Sequence, residues 1–142
     1  LRFGEWSDIA PPTTFLYTDK IHEQPNTGVG LAKAHLRKVT LDNFSECMSL
    51  KVNESQQEFI APNVKSLAEA YVNPTLSPLA IYDVKVAGYE KPQLPMVGFI
   101  MYEITAGVGF ILRLMIEHNY QRQGYGRAAS LEVIRRLKLH RF

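Results

Sequence analysis

Two near-continuous apolar runs, "MVGFIMYEI" at 96–104 and "FILRLMIE" at 110–117, flank the short segment "AGVG" at 106–109. A strand with one wet face alternates apolar and polar residues, whereas a strand covered on both faces reads as a continuous apolar run. The two runs therefore predict a pair of central strands joined by a tight turn. Such a pair needs cover above and below it. The rest of the sequence must supply that cover.

Regular patterning begins at Ala32. "AHLRKVT" at 34–40 reads as a strand, and "LAIYDVKV" at 79–86 as another, with Pro92 and Pro95 bounding the loop after it. Between them, Leu41, Phe44, Met48 and Val52 recur at helical spacing, behind Thr40 or Asp42 as a cap. "NESQQEF" at 53–59 continues that helix or forms a short turn of its own. A further helix starts at Asn63 or Ser66, and Pro74 ends it. From Gly124 to Leu139, Ala128, Leu131, Ile134 and Leu137 form one stripe, with Arg127, Arg135 and Lys138 largely elsewhere. The order of elements predicts an α/β (α+β) domain with a mixed, largely antiparallel sheet flanked by helices.

The 142 residues make one domain, 32–142, preceded by an irregular arm, 1–31. Phe3, Trp6, Phe15 and Tyr17 argue that the arm packs on the domain or on a partner, because disordered tails are poor in aromatics. No apolar run reaches the roughly 18 residues that span a bilayer, and no signal-peptide pattern opens the chain. Cys47 is the only cysteine, which excludes an internal disulfide and favours an intracellular setting, cytoplasm or organelle matrix. It is either a catalytic thiol or a buried structural residue. Phe44, Met48 and Leu50 around it favour the second. No metal-ligand cluster is expected.

Residues 113–142 carry seven Lys or Arg against two Glu, while the first 112 carry nine against twelve Asp or Glu. A basic end suits an anionic ligand or a solvated helix face. The net charge of only +2 and the lack of a zinc-finger or RNA-reading motif speak against nucleic acid as a partner.

Within that basic end, "EHNYQRQGYG" at 117–126 links a strand end to a helix start and places Gly124 and Gly126 where glycine is a poor helix former. Backbone N–H groups at a helix start lack intrahelical acceptors and, with the helix dipole, favour a phosphate. Glycines remove the Cβ atoms that would hold a pyrophosphate away, and Gln121, Arg122 and Arg127 add donors around it. The Walker loop is excluded, since Gly126 is followed by Arg127 and Ala128 instead of Lys-Ser/Thr. A dinucleotide fingerprint is excluded too, because seven residues separate Ile116 from Gly124 and no βαβ repeat surrounds them.

Ile116, four further residues and then Gln121-Arg122-Gln123-Gly124-Tyr125-Gly126 resemble the V-x-x-x-x-[Q/R]-x-x-G-x-[G/A] signature of the GNAT superfamily of N-acetyltransferases. The order of elements from Leu36 to Phe142 resembles the first part of that fold. "KVNESQQEFIAPNVKSLAEAYV" and "ILRLMIEHNYQRQGYG" are most similar to its spermine and spermidine acetyltransferase branch. The resemblance implies an acetyl-CoA-dependent N-acetyltransferase acting by direct transfer on a small amine, with a polyamine among the candidates. It implies that Leu114, Met115 and Ile116 form a bulged strand end that binds the pantetheine arm of acetyl-CoA. A backbone amide of Met115 or Ile116 would polarise the thioester oxygen. Gln121, Arg122, Gln123, Gly124, Tyr125 and Gly126 would wrap the pyrophosphate, with Arg127 beside it. Arg122 stands where many members have glycine, a position the signature leaves open.

A primary amine is mostly protonated at neutral pH, so a base helps the transfer. Glu117, just past the strand end, and Glu103, on the preceding strand, are the candidate catalytic carboxylates. Each is equally well read as a solvated or salt-bridged glutamate. Glu54 and Glu58, four apart on a helix, would share a face and could hold a polycation, or simply sit in solvent. The family continues with further strands and a helix whose tyrosine protonates the departing thiolate, and no residue here matches it. The expectation is a domain incomplete after its last helix, in a chain whose first residue is Leu1, with a homodimer or larger assembly as partner. The competing expectation is a catalytically inactive structural subunit of such an assembly.

Overall fold

The computed structural model describes residues 9–10, 13–14, 34–83 and 95–139. Trp6, Phe15, Tyr17, the predicted strand end at 84–86 and Pro92 lie outside the described residues.

The two apolar runs form the middle of the sheet. Strands β5 (Gly98–Thr105) and β6 (Val108–Ile116) pair antiparallel through a two-residue turn. That turn needs positive φ at both positions, and Ala106 and Gly107 supply it at 50° and 77°. Strand β4 (Leu76–Asp83) lies beside β5, and β3 (Ala34–Lys38) beside β4, both antiparallel. Pro78 is tolerated within β4 because the β3 ladder stops at the Lys38–Leu79 pair, where Pro78 has only β5 to meet. The far edge of β6 is also occupied. Two-residue strands β1 (Ile9–Ala10) and β2 (Thr13–Thr14), from the segment read as an irregular arm, run antiparallel along it.

Helices cover both faces of this sheet, as the apolar runs require. Helix α3 (Tyr125–Leu139) packs on one face. Helix α1 (Phe44–Ser49), a 3₁₀ helix (Glu54–Phe59) and α2 (Asn63–Val72) cover the other side. On the α3 side the core joins Leu79, Ile81, Ile100, Ile111, Leu114 and Ile116 to Ala129 and Val133. On the opposite side Ala80, Phe99, Met101 and Met115 meet Cys47 and Val52. None of the described helices is long and apolar enough to cross a membrane.

Strand β6 breaks the alternation rule. Ile111 faces α3, and so do Leu114 and Ile116, which have the opposite parity. The register explains this: Met101 pairs with Arg113 and Tyr102 with Ile111, so Leu112 is an extra residue on β6. This β-bulge turns the strand end over by one face. Met115 thereby points away from α3, towards α1 and α2.

Two helix faces differ from the sequence expectation. Beyond its first two residues, Tyr125 and Gly126, α3 buries Ala129, Ser130, Val133 and Ile134, whereas Ala128 and Leu131 are half-buried. The stripe is turned by about one residue, because the first turn is anchored by the buried ring of Tyr125. Leu137 keeps its place by lying over Gly109, where an added Cβ would come within 2.8 Å of Leu137 Cδ1. Of the predicted α1 stripe only Val52 is buried, and it lies beyond the helix. The helix lasts only six residues, leaves Leu41 86% exposed before it begins, and buries Cys47. So short a helix has one inward position, and the smaller Cys47 takes it in place of Phe44 or Met48.

Candidate functional site

The bulged end of β6 feeds a tight succession of turns. Glu117 caps a short 3₁₀ helix (His118–Tyr120) by accepting from Asn119 N–H at 2.8 Å, and its other oxygen lies 2.8 Å from His118 Nδ1. Glu117 N–H donates to Val97 O, and His118 N–H to Lys51 O, both at 2.8 Å. Arg122 then adopts φ 64° and Gly124 φ 91°, and α3 begins at Tyr125. Left-handed backbone of this kind is routine only for glycine. Arg122 thus holds the conformation that glycine would hold more easily. Gly126 has helical backbone in the first turn, so the two glycines serve different ends.

The first intrahelical bond runs from Ala128 N–H to Gly124 O at 3.0 Å. The N–H groups of Tyr125 and Gly126 precede it and have no carbonyl to reach within the helix. With the half-buried Arg127, they make an electropositive amino end behind a left-handed turn. This arrangement can cradle an anion.

Two expected phosphate donors are used elsewhere. The Gln121 amide donates to Gln56 Oε1 at 2.8 Å and to Ile116 O at 3.0 Å, and its Oε1 accepts from Asn53 Nδ2 at 3.2 Å. It is a bracket between the 3₁₀ helix, β6 and the loop. Tyr125 is buried, and its hydroxyl donates to Asp83 Oδ2 at 2.5 Å. Burial pushes the Tyr125 phenol up to about 12, with the Asp83 hydrogen bond and charge adding to it. Gln123 donates to Asn119 O at 3.4 Å and is otherwise exposed. Tyr125→Phe should remove a hydrogen bond to a carboxylate, an expected loss of about 1.5–3 kcal/mol. Urea unfolding reads this as a lower midpoint with unchanged slope, and an unchanged midpoint would show that the bond contributes nothing.

A cavity of about 340 Å³ opens on the α1–α2 side of the same strand end. Its apolar wall is Met48, Leu50, Val52, Ile60 and Met115. Three polar residues among the described ones also line it: Lys51, Gln57 and Asn63. Asn63 is only 6% exposed; its Nδ2 donates to Cys47 O at 2.7 Å and contacts Met115 Sδ at 3.7 Å. Both amide hydrogens are thereby engaged, and Asn63 Oδ1 accepts nothing among the described residues.

The candidate carboxylates are scattered. Glu103 pairs with Phe110 at the turn end of the hairpin, five rungs from the Gly98–Ile116 pair, which is about 17 Å at strand spacing. It accepts from Thr75 Oγ1 at 3.2 Å and is a sheet-end residue remote from Glu117. Glu54 and Glu58 do not share a face. The segment is a 3₁₀ helix, whose three residues per turn place i and i+4 about 120° apart. Both are exposed, and neither lines the cavity. Leu114 and Met115, expected to offer their free edge to a ligand, pair with Ala10 and Ile9 of β1.

Asn63 and Lys51 were not singled out as functional in the sequence. Asn63 read only as a helix start, and its contacts to Cys47 and Met115 are 16 and 52 residues away. Comparison with protein-family models, with curated proteins and with solved structures returned no match.

Proposed function

We propose that this chain is an acetyl-CoA-dependent N-acetyltransferase domain acting on a small amine. The observation that carries the reading is the junction at 116–128: a bulged strand end, a left-handed turn at Arg122 and Gly124, and then the open amino end of α3. The spacing within it is that of the resembled signature. The anion cradle fits the pyrophosphate of the cosubstrate through Gly124, Tyr125 and Gly126 backbone and the Arg127 side chain. The edge of β6 fits its pantetheine arm only once β1 has left Leu114 and Met115.

Acetyl transfer forms a C–N bond and breaks the thioester C–S bond, while the amine sheds one proton and the leaving thiolate gains one. Glu117 is the carboxylate at this end of β6. With His118 Nδ1 at 2.8 Å, it belongs to a pair able to take the amine proton. Orientation of amine and thioester in the cavity beside Met115 supplies the rest of the acceleration.

Calorimetry with acetyl-CoA tests the reading. Gly124→Glu, confirmed as folded by circular dichroism, should bind at least about tenfold more weakly, since a carboxylate would stand in the pyrophosphate position. Arg122→Gly should unfold at an equal or higher denaturant concentration, because the left-handed backbone is relaxed. Equal binding by folded Gly124→Glu would sink the assignment.

The second reading, a structural subunit without catalysis, is favoured by one observation. Strand β1 occupies the β6 edge that the cosubstrate would use. Disrupting that strand with Ile9→Pro and Ala10→Pro separates the two readings within the same calorimetric experiment: affinity rises for an enzyme and stays nil for a scaffold.

A further inference from the structure

The charge and hydrogen-bonding capacity of the 340 Å³ cavity point to a ligand class different from a polyamine. We infer that it takes an α-amino acid with an apolar side chain. What then happens to that ligand rests on the acetyltransferase reading, but its binding does not.

Three features of the cavity carry the inference. Its volume lies at the lower end of the range that small-molecule sites occupy, about 300–1,000 Å³, and its wall is mostly apolar. That suits one branched or aromatic side chain. Next, Asn63 Oδ1 is an amide acceptor on a residue more than nine-tenths buried, and it has no donor among the described residues while its own NH₂ is held by Cys47 O and Met115 Sδ. An amide oxygen of this kind, on a residue that lines the cavity, can accept from an amine N–H of a ligand. Finally, among the described residues the only charged one that lines the cavity is a cation, Lys51. Its carbonyl is held by His118 N–H and its ammonium group has no ion-pair partner among the described residues. A carboxylate complements Lys51. A polycation would meet it with like charge and find no acid on the wall among the described residues, since Glu54 and Glu58 are outside it.

The ligand amine accordingly reaches Asn63 Oδ1, beside the Met115 side chain, while the carboxylate faces Lys51 at the exposed rim. Asn63 and Lys51 select the ligand, and neither takes part in proton transfer.

Equilibrium binding to the intact chain, without cosubstrate, decides the matter with phenylalanine, phenethylamine and spermidine as probes. Phenylalanine is expected to bind at least tenfold more tightly than either amine. Lys51→Glu, an exposed substitution that the fold should tolerate, is expected to erase that preference. Asn63→Leu tests the acceptor, and Asn63→Gln serves as its companion in case the leucine variant does not fold. Phenylalanine binding should weaken at least tenfold in whichever is folded. Spermidine bound as tightly as phenylalanine, or Lys51→Glu without effect, would overturn the inference. Phenylalanine binding that persists in a protein unable to bind acetyl-CoA would leave this inference standing and remove the acetyltransferase reading instead.

Discussion

Gly98→Val is expected to destabilise the protein by about 3 kcal/mol or more, the upper range for overpacking. The backbone at Gly98 is not left-handed; the demand there is for space. An added Cβ would lie 2.4 Å from Met115 O and 2.7 Å from Ile116 Cδ1. The first of these is backbone on the neighbouring strand and cannot swing aside. Its shift would also move the carbonyl at the strand end on which the candidate site is built. Chemical denaturation measures the loss, and Gly98→Ala should already show much of it. A Gly98→Ala midpoint equal to that of the parent would mean that β5 and β6 are not this close.

Cys47 should react with a disulfide reagent at pH 8 on the order of a thousandfold more slowly in the native protein than in denaturant. The residue is fully buried, and burial, with a smaller contribution from the charge of Glu46, pushes its thiol up to about 12. The reactive species is the thiolate, so both access and ionisation are withheld. The pH dependence has a definite sign. The unfolded chain ionises Cys47 near about 8.5 and the folded chain near 12. Below the lower value both states hold the proton, and Cys47 adds no slope. Above it the unfolded state loses its proton first, so stability falls as pH rises from about 8.5 towards 12. Replacing Cys47 by alanine should remove that alkaline slope at some cost in packing. Fast labelling of native protein would reopen the reading of Cys47 as a nucleophile.

The central hairpin was legible in the sequence because continuous apolar runs have few other uses. Its turn was legible as well, from Ala106 and Gly107. The bulge at Leu112 was not readable from alternation: "FILRLMI" is apolar at nearly every position, so a one-residue slip leaves no trace in the pattern. Only the resemblance implied a bulge in this strand. The α1 face was misread for a related reason, since periodicity reports the inward side reliably only over several turns, and α1 has fewer than two. In the candidate site, the left-handed turn was signalled by Gly124 but concealed by arginine at 122. The side-chain bracket at Gln121 and the lone acceptor at Asn63 depend on partners 52 to 68 residues distant, a relation that no local pattern encodes.

The two sides of β6 are acquired under different entropic conditions. Its inner neighbour, β5, is joined to it by a two-residue turn, so closing that pair restricts little chain. On its outer side, β1 and β2 meet it from the other end of the sequence, and their contacts are non-local in the sense that slows folding. Two-residue ladders add little cooperative strength once formed, which places them at the low end of local opening free energies. The hairpin is therefore expected to form early, and the outer pairing late. On that order, a strand central in the finished sheet would pass through a stage as an edge, and Leu114 and Met115 are on that side.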